Sequence, residues 1–194
     1  IFSFHRAKIT RKNGTSVLTN ADPESEFIRT RDINFRPVHT ATGPDGCLYI
    51  VDMHRGIIQQ GNWTKPGSYL RGIINKWGLD KNISHGRIYR LVHKNFKPGK
   101  RPNMKAEKTA DLVKYLDHPN AWWRDTAKKL IILRDDRESV APTLASAILK
   151  DDVKTQTRIT ALWTLEGMSA DKPELLVKLL ASSEPRIVCN AIRV

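Results

Sequence analysis

The stretch Leu112-Val113-Lys114-Tyr115-Leu116-Asp117-His118-Pro119-Asn120-Ala121-Trp122-Trp123-Arg124-Asp125-Thr126-Ala127 decides how the chain is built. Leu112, Val113 and Leu116 recur at the spacing that brings side chains onto one face of a helix. His118-Pro119-Asn120 then breaks the pattern, because the residue before a proline is pushed toward extended geometry. Trp122-Trp123 through Ile132 resumes it. The passage therefore reads as a helix, a break and a second helix.

The pair recurs downstream. Leu144 and Ile148 lie 32 residues beyond Leu112 and Leu116, and Leu175 and Leu179 lie 31 beyond those, a fixed period that marks a repeat architecture. In the second helices Arg124-x-x-Ala127 becomes Arg158-x-x-Ala161 and then Arg186-x-x-Cys189, which sets a small residue one turn after an arginine where packed helices approach. Pro142 and Pro173 are placed at first helical turns, where a missing N–H costs nothing. Residues 106–194 are thus expected to form an α-α solenoid of the HEAT type, with a period closer to compact two-helix variants than to the usual forty or more residues. Ile187, Val188, Ala191 and Ile192 would end that stack on an apolar face, so further chain is expected after Val194. The opening Ile1-Phe2-Ser3-Phe4, with no initiator Met and no signal-type segment, gives the same expectation upstream.

Residues 1–93 read as β structure with an insertion. Ala7 and Ile9 alternate with polar residues, Asn13-Gly14 supplies the positive-φ turn of a tight hairpin, and Ser16 to Thr19 returns. Phe35-Arg36-Pro37-Val38 leads into a second hairpin through Pro44-Asp45-Gly46 to the apolar run Cys47-Leu48-Tyr49-Ile50-Val51. The partner of that run is Arg87-Ile88-Tyr89-Arg90-Leu91-Val92, so about 53–85 is an insertion. Tyr69, Leu70, Ile73, Ile74 and Trp77 lie at helical spacing inside it, with Gly78 as a stop. Residues 94–105 are rich in Lys and Arg, hold Pro98, Gly99 and Pro102, and have the composition of a linker.

The formal net charge is +13, and it is not spread evenly. Residues 1–105 carry 19 Lys and Arg against 7 Asp and Glu, whereas residues 106–194 carry 14 against 13. A helical repeat that grips nucleic acid needs a basic stripe, so the near-neutral second half argues against that class of partner. No apolar run approaches the length of a membrane span. Cys47 and Cys189 stand far apart in apolar surroundings and read as two buried thiols, outside any disulfide or Cys-x-x-Cys framework. The sequons at Asn13, Asn62 and Asn82 carry no weight without a secretory context. His5, His39, His85, His93 and His118 lack metal-ligand spacing, and no metal site is expected.

Pro44-Asp45-Gly46-x-Leu48-Tyr49-Ile50-Val51-Asp52 gives the hairpin geometry of a propeller blade. With Phe35-Arg36-Pro37-Val38 before it and Gly86-Arg87-Ile88-Tyr89-Arg90-Leu91 after it, the set resembles a late blade of the sorbosone and glucose dehydrogenases that use pyrroloquinoline quinone. Together with Asp117-His118-Pro119-Asn120-Ala121-Trp122-Trp123-Arg124, it resembles the large dehydrogenases of planctomycetes and verrucomicrobia, in which propeller, HEAT repeats and c-type cytochrome succeed one another. The resemblance covers nearly the whole chain. It implies the C-terminal part of a β-propeller followed by a HEAT-like solenoid, in a periplasmic or secreted bacterial oxidoreductase. A sugar would be oxidised by quinone with calcium in the complete propeller, and electrons would pass to haem c in another domain of the same polypeptide. No Cys-x-x-Cys-His occurs in these residues, so none of them attaches haem and the segment is not catalytic alone.

Within that frame Arg36 is the candidate for a quinone carboxylate, since its planar fork suits bidentate pairing. The competing reading is an arginine bonded to neighbouring structure. Asp52, His54 and Arg55 follow the buried strand. His54 could act as base with Asp52 fixing its tautomer, and Arg55 could join Arg36 on the cofactor. Neighbouring strand positions face opposite ways, however, so all cannot line one pocket. Trp122 and Trp123 read as packing residues, and the basic run 94–105 as a solvated linker. A non-catalytic scaffold that binds proteins or anionic glycans is the rival reading of the whole chain.

Overall fold

The computed structural model describes residues 2–13, 15–59 and 61–194. The chain divides into two compact units, one made of the residues up to Ala41 with Leu48–Lys94, the other of Thr42–Cys47 with Asn95–Val194.

The first unit carries small antiparallel sheets. β1 (Phe2–Phe4) pairs with β4 (Ile28–Thr30), β2 (Ala7–Lys12) pairs with β3 (Thr15–Asn20), and β5 (Pro37–Thr42), β6 (Leu48–Asp52) and β7 (Arg87–Leu91) form a sheet in the order β5-β6-β7. Asn13 takes the left-handed conformation at φ +51°, and Lys12 faces Thr15, the register a two-residue turn imposes. Gly14 itself lies outside the described residues. Both strands of this hairpin are solvent-exposed along their length, with Ile9 opposite Leu18. β1 and β4 escape sequence reading because three residues show no alternation; only a partner far along the chain makes them strands.

β6 is the strand expected from Cys47 to Val51, but within it only Ile50 and Asp52 are buried while Leu48, Tyr49 and Val51 are half-buried; it pairs with β7 as anticipated, with Ile50 opposite Tyr89. Tyr89 and Leu91 turn inward while Ile88 and Arg90 are exposed, and the Phe35 and Tyr89 rings meet 6.1 Å apart. The sheets have two or three strands, and no ring of blades closes among the described residues. What holds of the expected architecture is thus antiparallel sheet followed by helices.

The insertion contains α1 (Tyr69–Trp77). Its start is fixed by Ser68, whose Oγ accepts the Arg71 N–H, and its end by Gly78 at φ +59°, whose N–H reaches the Ile74 carbonyl. Gly56 packs directly on the segment after this helix: a Cβ there would lie 2.7 Å from the Leu79 carbonyl oxygen.

The second unit is helical. A 3₁₀ helix (Ala110–Asp117) packs with α2 (Ala121–Arg134), α3 (Arg137–Leu149) with α4 (Thr155–Gly167), and α5 (Pro173–Leu180) with α6 (Pro185–Arg193). No helix among the described residues is long and apolar enough to cross a membrane. Leu112, Leu116, Leu144, Ile148, Leu175 and Leu179, the residues that carry the period, are all buried in one core. Each such side chain contributes roughly 2 kcal/mol through burial, so the repeat spacing is also the spacing of the stabilising contacts.

The second helices are in register differently from the arginine pattern. The buried positions that all three share are the third residue, Trp123, Thr157 and Ile187, and the seventh, Ala127, Ala161 and Ala191. In the third pair the close contact is therefore made by Ala191. Cys189, expected to be buried there, is exposed, and only Cys47 is a buried thiol. Arg124 and Arg158 do play equivalent parts. Arg124 donates to the His118 and Pro119 carbonyls, and Arg158 donates to the Ile148 carbonyl and pairs with Asp151. Both satisfy carbonyls left open where the preceding helix ends. Arg186 pairs instead with the Glu184 carboxylate.

Two further departures have local causes. Pro173 opens α5 as expected, but Pro142 lies inside α3, since Val140 in the turn before it is drawn into the core. Met104, in the stretch of linker composition, is also buried, and Arg134 holds the chain beside it by donating to the Met104, Lys105 and Glu107 carbonyls. Asn120 caps α2 by accepting the Trp122 N–H and gives its own amide to the Gly43 carbonyl, while the Trp123 indole donates to the Pro44 carbonyl. Trp123 is buried and Trp122 remains exposed against its edge.

Candidate functional site

β6 ends at Asp52, and the chain beyond it distributes its side chains alternately. Asp52, His54 and Gly56 are buried, whereas Met53, Arg55 and Ile57 face a cleft. The predicted site residues are thereby sorted onto two sides of one segment.

On the buried side, Asp52 Oδ1 accepts the backbone N–H of Arg36 at 2.6 Å and that of His54 at 2.8 Å. His54 is held at φ +47°, a left-handed conformation that costs a non-glycine residue about 1 kcal/mol. Its carbonyl accepts the Asn82 side-chain amide at 2.5 Å, which fixes that geometry from 28 residues away. Asp52 Oδ2 stands 3.5 Å from His54 Nδ1 and Asp32 Oδ2 stands 3.7 Å from it, both beyond a well-formed hydrogen bond. Asp52 and His54 are therefore brought together, but by a knot of backbone bonds, and the imidazole is only 6% exposed.

Arg36 reaches the same knot through its backbone. Its guanidinium donates to the Ile33, Phe35 and Gly56 carbonyls at 3.1, 2.9 and 3.0 Å. Arg55 is separated from it, on the cleft side, where its Nε donates to the Ile57 carbonyl at 3.3 Å. The cleft has a volume of about 470 Å³ and is bordered also by Gln59, Thr64, Arg71, Ile74 and Asp80. Arg71, three residues into α1, donates to the Thr64 carbonyl at 2.6 Å and pairs with Asp80 at 3.3 Å.

These groups do not fit pyrroloquinoline quinone with calcium. Arg36 directs its fork at carbonyls, and the cleft sets two guanidinium groups and one carboxylate against a ligand with three carboxylates. Asp32 and Asp52 flank an imidazole, and among the described residues no group of three or more His, Cys, Asp or Glu side chains could hold a metal ion.

Asp32, Asn82, Arg71 and Asp80 belong to this site and escape sequence reading, because they reach it across 16 or more residues of chain. Only Arg71 leaves a linear trace, as part of the Ser68-capped helix.

The knot and the cleft lie in the sheet unit that α1 interrupts. Residues 4–95, which contain both, match the model of a domain of unknown function, DUF7133. No curated protein matches the chain, and no solved structure does.

Proposed function

We propose that this chain is part of a multidomain periplasmic oxidoreductase resembling the quinone-dependent sugar dehydrogenases. In this reading the sheet unit is a propeller-type element and the helical unit a HEAT-type spacer. Quinone and calcium are bound by residues outside this chain, and a c-type haem elsewhere in the polypeptide takes the electrons. The observation that carries the reading is the order of parts: an antiparallel sheet whose central strand ends at Asp52, a helix inserted before β7, then helix pairs with leucine and isoleucine side chains buried at a fixed period. Asp52, His54 and Arg36 serve that architecture by locking the end of β6.

The test is a visible spectrum of the natively purified full-length protein, followed by dye reduction after reconstitution with quinone and calcium. A c-type haem band and sugar-dependent reduction are expected; absence of both overturns the reading. One observation favours a non-catalytic scaffold binding proteins or anionic glycans, namely the engagement of the Arg36 guanidinium with three carbonyls. That alternative predicts no sugar-dependent reduction by the reconstituted protein.

A further inference from the structure

We infer that the cleft between the end of β6 and α1 binds a sugar bearing a single carboxylate, of the uronate class. The cleft's own geometry carries this, independently of the dehydrogenase reading.

Its volume of about 470 Å³ falls in the range of small-ligand sites. Arg55 is anchored through Nε to the Ile57 carbonyl, and its two terminal nitrogens have no hydrogen-bond partner among the described residues. Those two donors form the parallel fork that a carboxylate accepts. Arg71 is set rigidly by the Ser68 cap and the Thr64 carbonyl, with one terminal nitrogen on Asp80. That ion pair is solvent-accessible on both sides, 32% and 48% exposed, so a ligand can share it at little cost. Two guanidinium groups against one carboxylate leave one positive charge, which selects a monoanion over a neutral or polyanionic ligand. The remaining lining divides as a pyranose divides. Gln59, Thr64 and Asp80 offer donors and acceptors for hydroxyl groups, and Ile57 and Ile74 offer an apolar surface to C–H groups.

The test is calorimetric titration of the whole chain with D-glucuronate, with glucose and acetate as separate arms. Glucuronate is expected to bind at least about tenfold more tightly than either. Arg55→Gln should weaken glucuronate by about tenfold or more, and Arg55→Lys by less, because the lysine keeps the charge and loses the fork. Gln59→Ala, at an exposed position that does not endanger folding, should weaken glucuronate about threefold and leave acetate unchanged. Absence of glucuronate binding overturns the inference, as does an Arg55→Gln variant that binds it unchanged. Glucose binding equal to glucuronate removes the carboxylate requirement, and acetate binding equal to glucuronate reduces the cleft to an anion site; either result overturns it.

Discussion

The Asp52 carboxylate holds the backbone of Arg36 from 16 residues away, accepting its N–H at 2.6 Å in a position almost sealed from water. The same oxygen accepts the His54 N–H, so one side chain satisfies two main-chain donors where β6 stops. Asp52→Ala leaves both donors without this acceptor and should destabilise the chain by about 2–4 kcal/mol. Asp52→Asn, which keeps one carbonyl oxygen, should cost about 1–2 kcal/mol. Urea unfolding of both variants checks the ranking, and equal losses would mean that the carboxylate is not the acceptor that matters.

Two glycines in the same unit should respond to alanine with opposite signs. At Gly56 the new methyl would lie 2.7–2.9 Å from the Leu79 carbonyl oxygen, Cα and Cβ, none of which can swing aside, and a loss of about 1–3 kcal/mol follows. At Gly72, inside α1, nothing lies within 4 Å, and the gain in helix propensity should stabilise by about 0.5–1 kcal/mol. Thermal melts of the two variants should shift in opposite directions.

Arg158 is a nearly buried cation whose guanidinium bonds the Ile148 carbonyl and the exposed Asp151 carboxylate. Arg158→Ala should cost about 1–3 kcal/mol, from an open carbonyl and lost packing of the side-chain stem. Arg186→Ala removes a half-exposed side chain paired with Glu184 and should cost less. A denaturation midpoint no lower for Arg158→Ala than for Arg186→Ala would contradict the carbonyl-closing role.

Glu184 opens α6, and hydrogen bonds from the Arg186 side chain, then from the Arg186 N–H, lower its pKa to about 2 from an ordinary 4.5. Because the folded pKa lies below the unfolded one, the carboxylate's contribution is complete above about 4.5 and is lost as pH falls toward 2. The fall in melting temperature between pH 6 and pH 3 should be smaller in Glu184→Gln than in the parent chain. A residual fall is expected, since Asp117 is also shifted down, by hydrogen bonds from Lys154 and Thr157.

Long elements with strong local signals were legible in the sequence, and so were the pairings that those signals implied. The recurring apolar residues marked the first helix of each pair, Gly78 ended α1, and Asn13 marked the turn between β2 and β3. In α6 the spacing Arg186-x-x-Cys189 imitates Arg158-x-x-Ala161, but the buried small residue is Ala191, two positions on. The candidate site was legible only in part: Asp52 and His54 do meet, two residues apart on the same side, but Arg36 and Arg55 part company.

By itself, then, the sequence determined the succession of antiparallel strands and helix pairs, because periodicity and caps act within a few residues. It also determined the uneven charge, which is a matter of composition. Tertiary structure decided what the polar residues do. Whether the Arg36 fork reaches the Gly56 carbonyl, and whether Arg55, Arg71 and Asp80 share one cleft, depends on contacts between segments 9 to 25 residues apart. Side-chain donors satisfy whatever acceptors folding brings within about 3 Å, and no local pattern records that choice.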